Sequence, residues 1–117
     1  MGSSKKTILI VDDDESIVEL LAELLVQEGY GVVTANNGKS GLEILKSEKP
    51  QLVLLDVNMP VMDGWEFKKS KDSDGDLKKI PLFIITAQHE LPQTGDVSYI
   101  PKPININFLL EQIKKFV

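Results

Sequence analysis

Residues 7–16 read TILIVDDDES. The first half, Thr7 to Val11, is short, apolar and rich in β-branched residues, the pattern of a parallel strand buried on both faces. The second half switches abruptly to three like charges, Asp12, Asp13 and Asp14. A buried strand ending in adjacent carboxylates has three ordinary explanations. It is a solvated charge run, a helix cap, or part of a site for a divalent cation.

Downstream, strand-like and helix-like patterns alternate. Ile17, Leu20, Leu21, Leu24 and Leu25 recur at helical spacing until Gly29, a helix stop. Tyr30 to Ala35 reads as a second strand, Asn36-Asn37-Gly38 as a turn, and Leu42, Ile44 and Leu45 as a short helix closed before Pro50. Gln51 to Leu55 is a third buried strand running into Asp56. A third helix lies around Trp65 and Phe67, and Pro81 to Ile85 is a fourth strand. Ser98 to Ile100 is a short fifth strand. Leu109, Ile113, Phe116 and Val117 form the stripe of a last helix, with Asn105 as its N-cap. This alternation predicts an α/β fold: a doubly wound, five-stranded parallel sheet with helices on both faces. Residues 88–97, including Pro92 and Gly95, are close to the minimum for a parallel crossover, so a shortened or missing crossover helix is expected there.

A chain of 117 residues suits one compact domain, and 42% hydrophobic with 26% charged residues is ordinary for a globular protein. Residues 1–4, with Gly2-Ser3-Ser4, read as a tag remnant or a disordered start, which leaves residues 5–117 as the domain. The net charge of -5 disfavours nonspecific binding to nucleic acid or anionic membrane. Cysteine is absent, which excludes disulfides, thiolate metal sites and a cysteine nucleophile. No apolar run has the length of a membrane span or of a signal-peptide core, so a cytoplasmic protein is expected.

In an open parallel sheet, ligands bind beyond the carboxyl ends of the strands. Those ends carry Asp12 and Asp13, Asp56, Thr86-Ala87, and Lys102 within Pro101-Lys102-Pro103. Converging carboxylates resist ionising together unless a cation joins them, and Mg²⁺ favours such an oxygen-rich, partly hydrated site. A hydroxyl and a lysine facing that ion suit a phosphoryl group, with Asp56 as the nucleophile that accepts it. Asp14, just before the first helix, reads as a cap or helix-terminus charge rather than a ligand. Residues 71–79, KDSDGDLKK, invite a calcium-loop reading. Leu77 stands where that loop needs glycine and Phe83 where it needs glutamate, so the segment reads as a surface loop.

Taken together, VDDDES at 11–16, LLDVNMPVMDG at 54–64, ITA at 85–87 and YIPKP at 99–103 resemble the CheY-like receiver domains of two-component response regulators. The resemblance runs from about Lys5 to Val117 and implies the flavodoxin-like strand order 2-1-3-4-5. It implies that Asp56 is phosphorylated by a histidine kinase or histidine phosphotransfer protein, and that a downstream protein target reads the altered surface. Asp13 and Asp56 would bind Mg²⁺ directly, Asp12 mainly through water, and Asn58 through its backbone carbonyl. Lys102 would pair with the phosphoryl oxygens, and the Lys102–Pro103 bond would be cis. Thr86 and Tyr99 would respond as switch residues, Ala87 would leave room for the phosphoryl group, and Asn58 and Gln88 would tune signal lifetime. Such a domain catalyses only its own phosphorylation and dephosphorylation. The family's output face, however, normally includes a full crossover helix that residues 88–97 have little room to form.

Plainer readings stand beside these. Lys102 alone would be a surface lysine, Thr86 a β-branched strand residue, and Tyr99 a half-buried aromatic. Trp65 reads as a packing residue, and His89, the only histidine, as a loop residue. A pseudo-receiver that binds partners without phosphorylation is a competing function. A flavodoxin-like cofactor binder is disfavoured, because acidic strand ends would repel a cofactor phosphate and no glycine-rich loop follows the first strand.

Overall fold

The computed structural model describes residues 6–56, 64–87 and 97–116. Its elements in chain order are β1 (Thr7–Val11), α1 (Glu15–Gln27), β2 (Gly31–Ala35), α2 (Gly38–Glu48), β3 (Leu52–Asp56), α3 (Gly64–Asp72), a 3-10 turn (Leu77–Lys79), β4 (Leu82–Thr86), β5 (Val97–Pro101) and α4 (Ile106–Lys114). The five strands form one sheet in the order β2-β1-β3-β4-β5, every pairing parallel. This is the predicted doubly wound arrangement, with element boundaries within one or two residues of those expected.

The three inner strands carry near-continuous apolar runs because both of their faces are covered. On one face Ile8, Ile10, Leu52, Leu54, Phe83 and Ile85 meet Leu21 and Leu25 of α1 and Leu109 and Ile113 of α4. On the other, Leu9, Val11, Val53, Leu55, Leu82 and Ile84 meet Leu42 and Leu45 of α2, Phe67 of α3, and Leu77. Each fully buried Leu or Ile contributes about 1.5–3 kcal/mol relative to exposure.

Local signals set the helix ends. Asp14 caps α1, accepting from Ser16 N–H at 3.0 Å and Ile17 N–H at 3.3 Å. Asn37 caps α2 through Ser40 N–H at 2.9 Å, and Asn105 caps α4 through Phe108 N–H at 3.0 Å. Gly29 follows α1 with φ of 95°, a left-handed conformation that glycine adopts without a Cβ penalty. Gly41 serves space instead. A Cβ there would lie 2.9 Å from Val11 Cγ2 and 3.1 Å from Phe67 Cε2, so α2 approaches β1 and α3 closely.

Three expectations need correcting. Leu20, counted on the apolar stripe of the first helix, is 53% exposed, because the buried arc of α1 is centred on Leu21 and Leu25. Phe116 lies beyond the end of α4, half exposed, with its ring edge-on to Phe83 at 5.3 Å. Residues 71–79 are not simply a surface loop. Lys71 and Asp72 complete α3, Lys71 and Leu77 are buried, and Asp74 Oδ1 accepts from Asp76 N–H and Leu77 N–H to start the 3-10 turn. The expected shortening of the crossover helix falls on residues 88–97, of which 88–96 lie outside the described residues.

β5 ends at the sheet edge in Pro101. Lys102 N–H donates to Thr86 C=O, so the residue before it turns its backbone nitrogen to the open side. The proline there removes a donor that no strand would use.

Candidate phosphoryl and metal site

Register brings the predicted site residues together. Val11 pairs with Leu55, so the next residues, Asp12 and Asp56, are neighbours at the carboxyl edge of β1 and β3. Asp56 lies opposite Ile85, and Thr86 opposite Pro101, which places Thr86 and Lys102 on the same edge. Lys102 Nζ donates to Asp56 Oδ2 at 3.3 Å. Asp12, Asp56 and Thr86 are buried, whereas Asp13 and Ala87 are exposed. Tyr99 is half-buried, lies opposite Ile84, and packs on the sheet face that carries α3. The Lys102–Pro103 peptide is cis.

One ligand oxygen from each of Asp12, Asp13 and Asp56 falls within 4.8 Å of the others. Asp12 is held by its backbone: its N–H donates to Ala35 C=O at 3.1 Å, and its Oδ1 accepts from Asp14 N–H at 3.0 Å. Its Oδ2 is buried and finds no donor. Burial pushes the Asp12 carboxyl from 3.8 up to about 6, and the neighbouring charge of Asp56 adds to the rise. The Asp14 N–H and Lys102 oppose it.

An orphaned buried carboxylate oxygen beside two further carboxylates is the donor set a hard divalent ion satisfies, so these residues fit Mg²⁺. Asp14 does not belong to this set, since its side chain is committed to the α1 cap. The three aspartates thus divide: two converge with Asp56 and the third starts the helix. Trp65 packs partly buried against the core, as read from sequence. Asn58, Gln88 and His89 lie outside the described residues. Sequence reasoning missed the two backbone hydrogen bonds that fix Asp12, because no side-chain pattern encodes them.

Comparison with known proteins agrees with this geometry. The response regulator receiver domain model matches residues 8–114. The chain is 30% identical over 118 positions to the polar-differentiation response regulator DivK of Brucella anthropi, covering 96% of each. Among solved structures, the chemotaxis protein CheY4 of Vibrio cholerae superposes with a TM-score of 0.88 at 29% identity, over 97% of this chain and all of that one. The N-terminal domain of a response regulator receiver protein from Methanoculleus marisnigri is 36% identical, with a TM-score of 0.76 and 95% of each chain covered. With a family match over nearly its whole length and the strand order and acidic edge already described, the chain belongs to the response regulator receiver domain family.

Proposed function

We propose that Asp56 is the phosphoacceptor of this receiver domain and that Asp12, Asp13 and Asp56 hold the Mg²⁺ its chemistry requires. Family membership makes the chain a phosphoryl-accepting module of two-component signalling. The observation that carries the residue assignment is the buried Asp56 carboxylate, paired with Lys102 and clustered with Asp13 and with Asp12, whose Oδ2 has no hydrogen-bond partner. A carboxylate oxygen of Asp56 attacks the phosphorus of a phosphohistidine. An O–P bond forms, the N–P bond breaks, and the imidazole of the donor takes up a proton. Bound Mg²⁺ supplies charge neutralisation on the transferring oxygens. Lys102 offers a point charge to a phosphoryl oxygen, and Thr86 a hydroxyl at the adjacent strand end.

On this reading the chain turns over no separate substrate. It catalyses its own phosphorylation and dephosphorylation. The donor is a histidine kinase or histidine phosphotransfer protein, the receiver of the signal is a downstream protein, and the compartment is the cytoplasm. No described helix is long and apolar enough to cross a membrane. Asn58 and Gln88 are assigned to metal ligation and signal lifetime on the resemblance alone.

Intact mass after incubation with Mg²⁺ and acetyl phosphate tests the assignment. Wild type should gain one phosphoryl group, and both Asp56→Asn and wild type in excess chelator should not. A wild type that never gains mass, or a mutant that gains it equally, rules the reading out.

A further inference from the structure

A groove of about 290 Å³ lies between α1 and the β5–α4 junction. Ile17 and Leu20 of α1 line one side, Pro103, Ile104 and Ile106 the other, and Lys102 is the only charged residue among the described lining. Roughly 150 Å³ is enough to hold a benzene ring, so the groove has room for a large apolar side chain. Three observations point to a second copy of this chain as the source of that side chain.

First, one patch carries both a projection and a recess. Leu20 is 53% exposed on the rim of the groove it lines, although its neighbours on α1 include the fully buried Leu21 and Leu25. A two-fold contact needs such self-complementarity, because the same patch serves both sides.

Second, the helices that flank the groove carry opposite charge. From Asp12 to Glu28 there is no lysine or arginine, and Glu15, Glu19, Glu23 and Glu28 are all exposed. α4 and its C-cap instead expose Lys114 and Lys115 beside a single acid, Glu111. Third, the two helices run in the same direction. Ile106 at the start of α4 shares the groove with Ile17 near the start of α1, and Lys114 Nζ at the other end stands 3.9 Å from Glu28 Oε1. A two-fold axis along their seam therefore lays α1 of one copy over α4 of the other, with like ends together. Leu20 then faces Pro103 and Ile106 of the second copy, and Glu23 and Glu28 face its Lys114 and Lys115.

We propose that α1 and α4 form a two-fold interface with a second copy of this chain, in which each Leu20 seats in the other's groove. The contact is small, so the dimer is weak, with a Kd on the order of 100 µM. It does not depend on the phosphoacceptor reading.

Sedimentation equilibrium of the intact, unphosphorylated chain at up to about 1 mM should show a reversible monomer–dimer equilibrium. Leu20→Asp should weaken it at least tenfold. Val26→Asp and Phe108→Asp replace residues that are 55% and 38% exposed but stand outside the groove, and each should change it less than twofold. A chain that stays monomeric at the highest concentration overturns the inference and leaves the groove to a different protein. Equal weakening by either control moves the contact to another surface and overturns it as well.

Charge exchange supplies a second measurement that a folding defect does not imitate. Lys114→Glu/Lys115→Glu and Glu23→Lys/Glu28→Lys should each self-associate at least fivefold more weakly than wild type, because each sets like charges across the two-fold. An equimolar mixture of the two should associate within threefold of wild type, since opposite charges again meet on both sides. A mixture no tighter than either variant alone would overturn the pairing of α1 with α4.

Discussion

Lys102 Nζ stands 3.3 Å from Asp56 Oδ2 although 46 residues separate the two in sequence. The contact exists because β3 and β5 flank β4 and all three end on one edge. It gives the lysine two opposed effects. As a cation beside the acidic cluster it competes with Mg²⁺, and as a point charge it stabilises an incoming phosphoryl group. Lys102→Met should therefore tighten Mg²⁺ binding by about three- to tenfold, a figure kept modest because the lysine is 31% exposed. The same variant should slow loading by acetyl phosphate at least tenfold. Calorimetric titration and intact mass read the two effects separately, and a variant that weakens both would refute the competition.

Asp12 should impose a pH dependence on the metal-free protein. Its folded-state carboxyl titrates near 6 and the ordinary value is 3.8, so between those values the folded chain holds a proton that the unfolded chain has lost. Stability must therefore fall as pH rises from about 4 to 6. The full penalty, on the order of 3 kcal/mol, remains above that window. Urea melts in chelator across pH 4–8 should show the decline, and Asp12→Asn should remove most of it. Saturating Mg²⁺ should restore stability above pH 6 and do little below pH 5, where the proton already occupies the site. Identical profiles for wild type and Asp12→Asn would show that Asp12 is not the group responsible.

The adjacent Asp14 should behave differently despite its identical chemistry. Its side chain satisfies the Ser16 and Ile17 N–H groups of α1, and losing such a cap costs about 1 kcal/mol. Asp14→Ala should lower stability by about that amount, Asp14→Asn should preserve the cap, and both should bind Mg²⁺ within twofold of wild type. A tenfold loss of metal affinity in Asp14→Asn would return this residue to the ligand set.

These contrasts show what was legible in the sequence. Strand ends are recognisable because burial on both faces demands unbroken apolar runs, so the switch from Val11 to Asp12 and from Leu55 to Asp56 marks the sheet edge directly. Once the parallel order is inferred, the convergence of Asp12, Asp56, Thr86 and Lys102 follows from topology alone. The groove beside α1 was not legible, because Ile17, Pro103 and Ile106 come from separate segments whose spacing depends on how two helices seat against the sheet. The exposure of Leu20 was missed for a related reason. Helical periodicity identifies an apolar stripe but not which side of it the sheet covers.

The buried Lys71 was also invisible to patterning, since a lysine in a polar stretch ordinarily faces water. Here it is 2% exposed, donates to Lys78 C=O at 3.3 Å, and lies 3.7 Å from Asp72 Oδ1, while Asp72 also pairs with Lys68. Burial of the whole side chain gives its aliphatic stem a packing contribution beside that of the charged head. Lys71→Ala should cost about 3 kcal/mol in urea melts, combining a cavity with a weakened charge network. Lys71→Met retains the stem volume and should cost less than half as much. Equal losses for the two variants would show instead that the ammonium group carries the stability. Because Lys71 contacts the turn leading into β4, at the opposite end of that strand from Thr86, the folded Lys71→Met protein should load with acetyl phosphate at the wild-type rate.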